Sequence, residues 1–377
     1  MSLKIDTDFP GGNIFIEDIN GFDITIAKDL RNTEGSWFYW AFRGTFDEPG
    51  TYRFTFSNGM ACGARGPAVS YDNGITWEWL GADCVENGPN RWDVFSYTYD
   101  GTRGNQVIFC FCIQYQMIHL EAFLKQHQGS PYLTTSILAH TRKNRPVERI
   151  RICDGSPEGK KHIVLTARHH CCETMASYVL EGVMAGALAD TDDGRLIRSR
   201  YVIDVIPFVD KDGVVDGDQG KNRKPHDHAR DYGNRHNLYP EIAAIQDLIL
   251  ENKPWLIWDF HCPWIRGEDC NETIYFPGPA DKEKEANMLK LSRLLEQEAP
   301  AEAPHYTKDN ILFGVGWNTN ANYKNGKTIC MWASDYDFVE YVAALEVSYA
   351  NAREITLTPD SCRKLGVAAA RCITMLD

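Results

Sequence analysis

The chain has 377 residues, 43% of them hydrophobic and 24% charged, a composition typical of a folded globular protein with room for two domains. Its 39 Lys and Arg against 52 Asp and Glu give a formal charge of −13, which argues against a nucleic-acid partner. The richest apolar run, residues 107–113, is far shorter than the roughly 18 residues of a membrane span. The start, MSLKIDTDFPGGN, has no apolar run of the signal-peptide type. We therefore expect no membrane partner.

The 12 cysteines are not spaced like a secreted disulfide framework, and no pair of C-x-x-C clusters predicts a structural zinc knuckle. Reduced thiols in a cytoplasm are the simpler interpretation. The sequence does not indicate an oligomeric state.

The first third of the chain is predicted to form antiparallel β structure. Runs rich in aromatic and β-branched residues occur at 37–44, 51–59, 66–81, 93–101 and 105–113. The dipeptides Asn58-Gly59, Asn73-Gly74 and Asp100-Gly101 indicate hairpins or turns between them. This pattern predicts an antiparallel β-sandwich domain over residues 1–117.

From residue 118 the pattern changes to alternating strands and helices. A short helix, HLEAFLKQ, and a polar stretch come first, and apolar strands follow at 162–167, 201–209, 254–261 and 342–350. Helical periodicity separates the strands. Long crossovers between strands predict an α/β domain over residues 118–377, with a mixed or mainly parallel sheet sandwiched by helices.

The residues with metal-binding chemistry lie at the ends of these strands, where ligands of open α/β sheets gather. His170 and Glu173 follow the strand at 162–167, His261 ends the strand at 254–261, and Glu346 lies in the last strand. A catalytic zinc needs three protein ligands and an open position. Taken alone, His170 and Glu173 also fit a strand-end histidine before a helix N-terminal acid.

Two more alternatives remain open at this point. A satisfied core histidine would account for His261 standing alone, and His169 is a rival to His170 for the metal. The spacing H-x-x-E favours His170, because the imidazole and the carboxylate can then face one side.

Several segments resemble the zinc carboxypeptidases, specifically a bacterial-type member of their cytosolic carboxypeptidase branch. ARHHCCETMASYVLEG resembles the branch's A-R-x-H-x-x-E-T-x-A-S segment, and DFH resembles its D-x-H. IPFVDKDGVVDGDQGKNRKPHDHARDY is similar to P-x-x-N-P-D-G-V…D-L-N-R-x-W, and ALEVSYAN resembles the strand with the catalytic Glu. The first third resembles the branch's preceding β domain, so the resemblance covers nearly the whole chain.

The resemblance implies a role for individual residues. His170, Glu173 and His261 would bind Zn²⁺, and Glu346 would be the general base that takes a proton from water. Arg230 would bind the substrate's terminal carboxylate, a task suited to a planar guanidinium.

Further site residues are expected with less support from the motifs. Tyr323 would supply the phenol that completes the family's site. Arg168 precedes the ligand pair and either orients it or contacts substrate, and Arg266 would line a pocket for an acidic side chain, unless it pairs with Glu268 or Asp269.

The chain departs from the branch at several positions. The Arg that polarises the scissile carbonyl is replaced by Gly220, so Arg223 or Lys221 would take its place, and Arg223 is the preferred candidate. Ala229 stands where the branch has an Asn before its carboxylate-binding Arg, and Cys171 and Cys172 replace its usual Pro-Gly.

The function implied is hydrolysis of a C-terminal amide bond of a peptide or a modified protein tail. Two alternatives stay open. One is a zinc amidase acting on a non-peptide acyl-amino acid, which Ala229 slightly favours. The other is a peptide-binding module that has lost catalysis, and Glu346 beside a complete ligand set argues against it.

Overall fold

The N-terminal third forms two facing β-sheets in the computed structural model, which describes residues 3–86, 92–234 and 236–376, without the side chains of residues 268 and 269. One sheet has the order β1-β4-β9-β6-β7 and the other β2-β3-β5-β8, and every pair is antiparallel except β3 with β5. The strands are β1 Leu3–Asp6, β2 Phe15–Asn20, β3 Asp23–Ala27, β4 Ala41–Phe46, β5 Gly50–Phe56, β6 Ala68–Ser70, β7 Glu78–Trp79, β8 Val94–Tyr99 and β9 Gln106–Cys110.

Aromatic side chains fill the space between these two sheets. Phe42 and Phe109 of one sheet stack 5.1 Å apart, and Phe54 and Phe95 of the other stack 4.9 Å apart. Phe42 and Phe54 meet across the interface at 5.2 Å. Alternation along each strand places these rings inside. The predicted β-sandwich is therefore present.

The rest of the chain is built on a seven-stranded mixed sheet of order β10-β11-β13-β12-β14-β16-β15. The central strands β13, β12, β14 and β16 are parallel, and the pairs β10–β11, β11–β13 and β15–β16 at the two edges are antiparallel. The strands are β10 Leu133–His140, β11 Pro146–Ile152, β12 Lys161–Ala167, β13 Tyr201–Ile206, β14 Leu256–His261, β15 Ile274–Tyr275 and β16 Tyr341–Val347, with a separate pair β17 Asn351–Ala352 and β18 Ile355–Thr356.

Helices cover both faces of the mixed sheet. Along β12, Ile163 and Leu165 join the apolar core that includes α2, α7 and α9, whereas Val164 joins a second core with α5 and α8. The predicted α/β class, a mixed sheet sandwiched by helices, is confirmed. The helices are α1 Met117–Gln126, α2 Thr174–Leu188, α3 Asp192–Arg200, α4 Lys211–Asp216, α5 Pro240–Asn252, α6 Glu268–Asn271, α7 Lys282–Glu298, α8 Ile329–Ala333 and α9 Pro359–Thr374.

The two parts of the chain share one continuous apolar core, which contains residues of both. Phe111, just after β9, packs 5.2 Å from Tyr349, which follows β16. A division between residues 117 and 118 therefore stays a proposal, with the boundary falling at the start of α1. No helix among the described residues is long and apolar enough to cross a membrane.

Candidate functional site

The loop between β12 and α2 carries the first two candidate ligands. The strand ends at Ala167, and the helix begins after Glu173, which occupies its N-cap position. Arg168 takes a left-handed conformation with φ 63° and is fully buried. Its guanidinium donates hydrogen bonds to the carbonyls of Cys171 and Tyr115, the latter at 2.8 Å. Arg168 thus supports the loop through hydrogen bonds to backbone carbonyls. It does not line the cavity, which corrects the prediction that it contacts substrate.

Three candidate ligands from this loop and from β14 converge on one point. Glu173 Oε1 lies 2.9 Å from His170 Nδ1, and Glu173 Oε2 lies 2.7 Å from His261 Nδ1. One ligand atom of each residue lies within 4.8 Å of the others. His261 is the last residue of a buried parallel strand, so the sheet itself fixes its position. The arrangement offers two imidazole nitrogens and a carboxylate, the donor set that suits zinc.

Each imidazole of this group is supported from its far side by another carboxylate. His170 Nε2 lies 3.3 Å from Asp227 Oδ1, and His261 Nε2 lies 2.6 Å from Asp259 Oδ2. Such outer carboxylates fix the tautomer and the orientation of metal-binding imidazoles. With both Nε2 atoms engaged, the Nδ1 atoms are left to face the common point.

His169, Asp259 and His261 form a second group with metal-binding spacing. The Asp259 oxygens already receive hydrogen bonds from Thr166 at 2.7 Å and contact His169 at 2.9 Å and His261 at 2.6 Å. His169 Nε2 lies 2.7 Å from the Tyr232 hydroxyl, and His169 is fully buried. Both ring nitrogens of His169 are thus engaged and His169 does not line the cavity, whereas His170, Glu173 and His261 all do, so the group with His170 and Glu173 is the stronger candidate.

The electrostatics of the group also fit a cation. Burial alone would raise the pKa of Glu173, but the Lys221 ammonium and the two imidazoles outweigh it and hold that pKa well below its usual range. Burial likewise opposes charge on His261, yet Asp259 and Glu173 raise its pKa. The carboxylates therefore favour a positive charge at this buried point. A divalent metal ion, which these donor atoms could bind, would supply that charge.

Glu346 stands beside this group on the neighbouring strand. It pairs with His261 in the parallel register of β14 and β16. Burial raises the pKa of its carboxyl above the usual value, although the His261 imidazole pulls it down. Its Oε2 atom is buried and has no hydrogen-bond partner within the described residues. A carboxylate oxygen of this kind is available to a water or a substrate.

A cavity of about 650 Å³ opens in front of Glu346 and contains Arg230 and Tyr323 in its wall. The Arg230 guanidinium lies 5.2 Å from the Tyr323 ring centroid, and within the described part of the chain it forms no ion pair. Two acidic residues near it in sequence are engaged elsewhere: Asp227 contacts His170, and Asp231 accepts hydrogen bonds from the backbone amides of residues 238 and 239. The Arg230 guanidinium is thus open to an anion.

The cation beside the metal-binding group is Lys221 rather than Arg223. Lys221 Nζ lies 2.7 Å from Glu173 Oε1 and donates to the Cys262 carbonyl at 3.0 Å. Arg223 points away from the cavity and pairs with the buried carboxylates of Asp210 and Asp218. The structure therefore does not bring the preferred candidate, Arg223, to the cavity wall, and it places Lys221, the other candidate, beside the metal-binding group.

Gly220 explains why the cation is displaced by one residue. It has φ 80°, and a Cβ at this position would lie 2.5 Å from the backbone nitrogen of Cys171. No side chain fits there without moving the loop that carries His170. The cation consequently comes from the next residue, Lys221.

Three residues of the first third also line the cavity, and no sequence motif had singled them out: Trp37, Met60 and Trp92. Trp37 lies outside β4, and its ring packs 4.8 Å from Trp264. Arg266 also lines the cavity, with its guanidinium 4.4 Å from the Trp92 ring centroid. Its suggested partners, the side chains of Glu268 and Asp269, lie outside the described residues.

The other reactive residues have structural partners. Burial raises the pKa of the Cys171 and Cys172 thiols, and Cys171 donates to the Asp218 carbonyl at 3.0 Å. His228 Nε2 lies 2.9 Å from Glu241 Oε1, and no metal-binding group includes it among the residues that the structure describes.

The chain is similar in sequence to several known proteins. Cytosolic carboxypeptidase 6 of Caenorhabditis elegans is 24% identical over 275 residues, which are 66% of this chain and 59% of the relative. Cytosolic carboxypeptidase 2 of Xenopus tropicalis is 23% identical over 367 residues, 88% of this chain and 37% of the relative. The chain therefore spans less than two thirds of the length of each of these relatives.

Solved structures support the fold. A metallo-carboxypeptidase of Pseudomonas aeruginosa, in complex with (2-guanidinoethylmercapto)succinic acid, has a TM-score of 0.80 at 16% identity and covers 99% of this chain and 98% of its own. A metallo-carboxypeptidase of Burkholderia cenocepacia has a TM-score of 0.76 at 16% identity and covers 99% of this chain and 98% of its own.

The family comparison decides the membership. The model of the zinc carboxypeptidase family matches residues 120–308, half of the chain, and the match includes the β12–α2 loop, Lys221, Arg230 and His261. The protein belongs to the zinc carboxypeptidase family.

Proposed function

We propose that the protein is a zinc-dependent carboxypeptidase that hydrolyses the amide bond before a free C-terminal carboxylate, in a peptide or a modified protein tail. One observation carries the proposal. Two imidazole Nδ1 atoms and the Glu173 carboxylate converge beside buried Glu346, at the edge of a cavity that also presents Arg230. A metal-binding group, a base and a carboxylate anchor thus share one space.

His170, Glu173 and His261 would hold Zn²⁺ with a position left for water, whose pKa such a zinc brings down to about 7. Glu346 takes the proton from the attacking water and later delivers it to the leaving amine. Its buried position raises the pKa of its carboxyl, which suits a group that must both accept and return a proton.

The remaining cavity residues position the substrate. Arg230 binds the terminal carboxylate with parallel N–H groups. The Lys221 ammonium contacts Glu173 in this structure. During the reaction it donates a hydrogen bond to the scissile carbonyl oxygen as negative charge develops on that oxygen. Tyr323, whose pKa burial raises to about 12, stays protonated. Its hydroxyl donates to Asn318 Oδ1 at 2.7 Å in this structure and would turn from there to the substrate. Arg266 contacts the substrate farther along the cavity.

A second candidate activity shares this chemistry. Ala229 presents a buried methyl group where the branch has an amide, so one hydrogen bond to the terminal carboxylate is lost. That change favours a zinc amidase acting on a non-peptide acyl-amino acid, for which a peptide backbone is not required.

A cytoplasmic location accompanies the proposal. The described residues form no disulfide, and two relatives with similar sequences are named cytosolic carboxypeptidases.

The decisive measurement is hydrolysis of N-blocked dipeptides by the zinc-loaded and the chelator-treated protein. We expect turnover with zinc, none after chelation, and loss of turnover with retained zinc in Glu346→Gln. Release of an acyl group from acyl-amino acids but not from peptides would identify the amidase. Binding without turnover by zinc-loaded protein would refute both activities and leave the binding module.

A further inference from the structure

The hydroxyl of Tyr275 is enclosed in the cavity wall without a hydrogen-bond partner. Tyr275 is the last residue of β15, is fully buried and lines the cavity. Its hydroxyl oxygen has no partner among the residues that the structure describes. An unpaired buried hydroxyl destabilises a protein, so such groups are usually bound to a water molecule or a ligand. The Tyr275 hydroxyl therefore calls for a partner inside the cavity.

Glu346 has an enclosed oxygen of the same kind, directly opposite Tyr275. The two residues pair in the antiparallel register of β15 and β16. Opposite residues of such a pair project from the same face of the sheet, with their Cβ atoms about 5 Å apart. Glu346 Oε2 is buried and, like the Tyr275 hydroxyl, has no partner within the described part of the chain. A donor without an acceptor and an acceptor without a donor thus lie on one face, in the wall of one cavity.

The backbone on both sides of Tyr275 is held by side chains. His305 Nδ1 donates to the Ile274 carbonyl at 2.8 Å. The Phe276 amide donates to Asn310 Oδ1 at 2.9 Å. Because both neighbours of Tyr275 are fixed in this way, its ring is held at a defined place beside the base.

The groups around the phenol leave its proton without an acceptor. Burial raises the pKa of Tyr275 well above its usual value, and the Glu346 carboxylate adds to the rise. The Trp317 indole, which lies near the phenol without meeting hydrogen-bond geometry, opposes the rise. An indole N–H can donate but cannot accept, so Trp317 offers the Tyr275 proton nothing. The phenol consequently stays protonated and is a donor only toward the cavity.

The two oxygens of Glu346 differ in their surroundings. Glu346 is 9% exposed, and the enclosed Oε2 contributes nothing to that exposure. Oε1 is then the oxygen left to meet the attacking water. A contact that holds Oε2 would therefore fix the direction in which Oε1 points.

We propose that Tyr275 is a positioning residue for the base, and that its hydroxyl donates to a bound water molecule which in turn donates to Glu346 Oε2. The inference rests on the proposed function, in which Glu346 is the base. The two enclosed atoms form no hydrogen bond with each other, and one water can accept from the phenol and donate to the carboxylate. Glu346 then takes the proton of the attacking water on Oε1 and returns it to the leaving amine. The Tyr275 proton stays on the phenol throughout.

The kinetic test is Tyr275→Phe, which removes the hydroxyl and keeps the ring. With zinc-loaded protein and an N-blocked dipeptide, we expect kcat to fall about tenfold, part of the roughly 10²–10⁴-fold that a well-placed base contributes. KM and zinc content should stay unchanged, because Arg230 and the metal ligands are untouched. A wild-type kcat in Tyr275→Phe overturns the inference while the proposed function stands. Absence of turnover by the wild-type protein refutes the proposed function itself.

Urea unfolding of the same variant separates a bound hydroxyl from an unused one. Removing a buried hydroxyl that has no partner at all would raise the urea midpoint. Removing a hydroxyl that is bound through water to Glu346 should lower the midpoint, which is the result we expect for Tyr275→Phe. A raised midpoint overturns the inference whatever the value of kcat.

Tyr341→Phe is the matched control. Tyr341 begins β16, at the other end of the strand from Glu346, and its hydroxyl donates to the Leu376 carbonyl at 3.3 Å. This variant should lower the urea midpoint and leave kcat unchanged. An equal loss of kcat in Tyr341→Phe and Tyr275→Phe would trace the loss to stability and overturn the inference.

A crystal structure of the zinc-loaded protein tests the water directly. We expect one water within hydrogen-bond distance of both the Tyr275 hydroxyl and Glu346 Oε2, and its loss in Tyr275→Phe. A structure with no atom between these two oxygens overturns the inference.

Discussion

Lys221 is the residue whose role the structure changes most. Its ammonium lies against Glu173 and the carbonyls of Cys262 and Pro263, at the junction of the metal-binding group and the cavity. If it donates to the developing oxyanion, Lys221→Met should lower kcat by about 10²–10³ with little change in KM, as loss of one oxyanion donor does elsewhere.

The measurement is steady-state kinetics at saturating zinc, with zinc content checked in each sample. Lys221→Arg keeps a cation and should recover part of kcat. An unchanged kcat in fully zinc-loaded Lys221→Met would show that the lysine only neutralises Glu173.

The chain Tyr232–His169–Asp259–His261 is the second feature at the scale of single residues. Its contacts measure 2.7, 2.9 and 2.6 Å in that order, and they end at a candidate metal ligand. Tyr232→Phe removes only the hydroxyl, so His169 is less firmly oriented and Asp259 supports His261 less well. We expect about tenfold weaker zinc binding, at the low end of such outer-contact effects.

Competition with a chromophoric chelator measures this affinity independently of activity. Tyr201→Phe is the matched control, because Tyr201 begins β13 at the opposite end of the strands. Equal zinc affinities of Tyr232→Phe and wild type would show that the chain does not hold His261.

At the scale of elements, we expect Arg223 to stabilise the short helix α4 rather than to take part in catalysis. Asp210, the N-cap of α4, accepts from the Gly213 amide at 2.8 Å and also pairs with Arg223, as does Asp218 after the helix. Arg223→Met takes the close cation from two buried carboxylates and leaves them only the longer contacts of Asp210 with His228 and of Asp218 with Arg31, each at 3.6 Å. The free energy of unfolding should fall by about 3–5 kcal/mol, while kcat of the folded, zinc-loaded enzyme stays near that of wild type.

Denaturant unfolding and kinetics on the same preparation check this prediction. Adding Asp218→Asn to Arg223→Met removes one stranded charge and should restore part of the stability. Wild-type stability combined with a large loss of kcat would return Arg223 to the catalytic role that the sequence suggested.

Elements with two buried faces were predictable and edge elements were not. The strands at 162–167 and 254–261 are continuous apolar runs because helices cover both sides of the sheet, and they appear as β12 and β14. The edge hairpin β10–β11 was missed, since most of β10 is exposed and Ile137 has 58% of its surface open. An edge strand with such a surface has no apolar pattern to recognise.

Over the whole molecule, the fold class followed from the alternation of strands and helices, and the family followed from the order of the motifs along the chain. Which side chains of a loop point into the cavity could not be predicted in this way. Whether Lys221 or Arg223 enters the cavity depends on how closely Gly220 packs against the β12–α2 loop. In that contact Gly220 meets Cys171, which lies 49 residues earlier in the chain (220 − 171). The contribution of Trp37 and Trp92 likewise depends on how two sheets dock onto a third. Such contacts leave no local pattern in the sequence.

The stability of the whole molecule should fall as the solution becomes acidic, and His305 shows why. It is buried, its Nδ1 donates to the Ile274 carbonyl at 2.8 Å, and its Nε2 accepts from the Ser292 hydroxyl at 2.8 Å. Burial lowers the pKa of His305 below the usual 6.5. Below that pH the unfolded chain binds a proton that the folded protein resists, so stability is lost on acidification, at up to about 1.4 kcal/mol per pH unit for each such group.

His305→Gln removes the imidazole that takes up this proton. The variant should be less stable than wild type at pH 7.5, yet its free energy of unfolding should fall less steeply between pH 6.5 and the folded-state pKa. Urea unfolding across that range measures the slope. Ser292→Ala is the matched control, because it loses the same hydrogen bond but keeps the imidazole, and it should retain a wild-type slope. If His305→Gln and Ser292→Ala lose stability with the same slope, the acid sensitivity arises from other groups than this buried histidine.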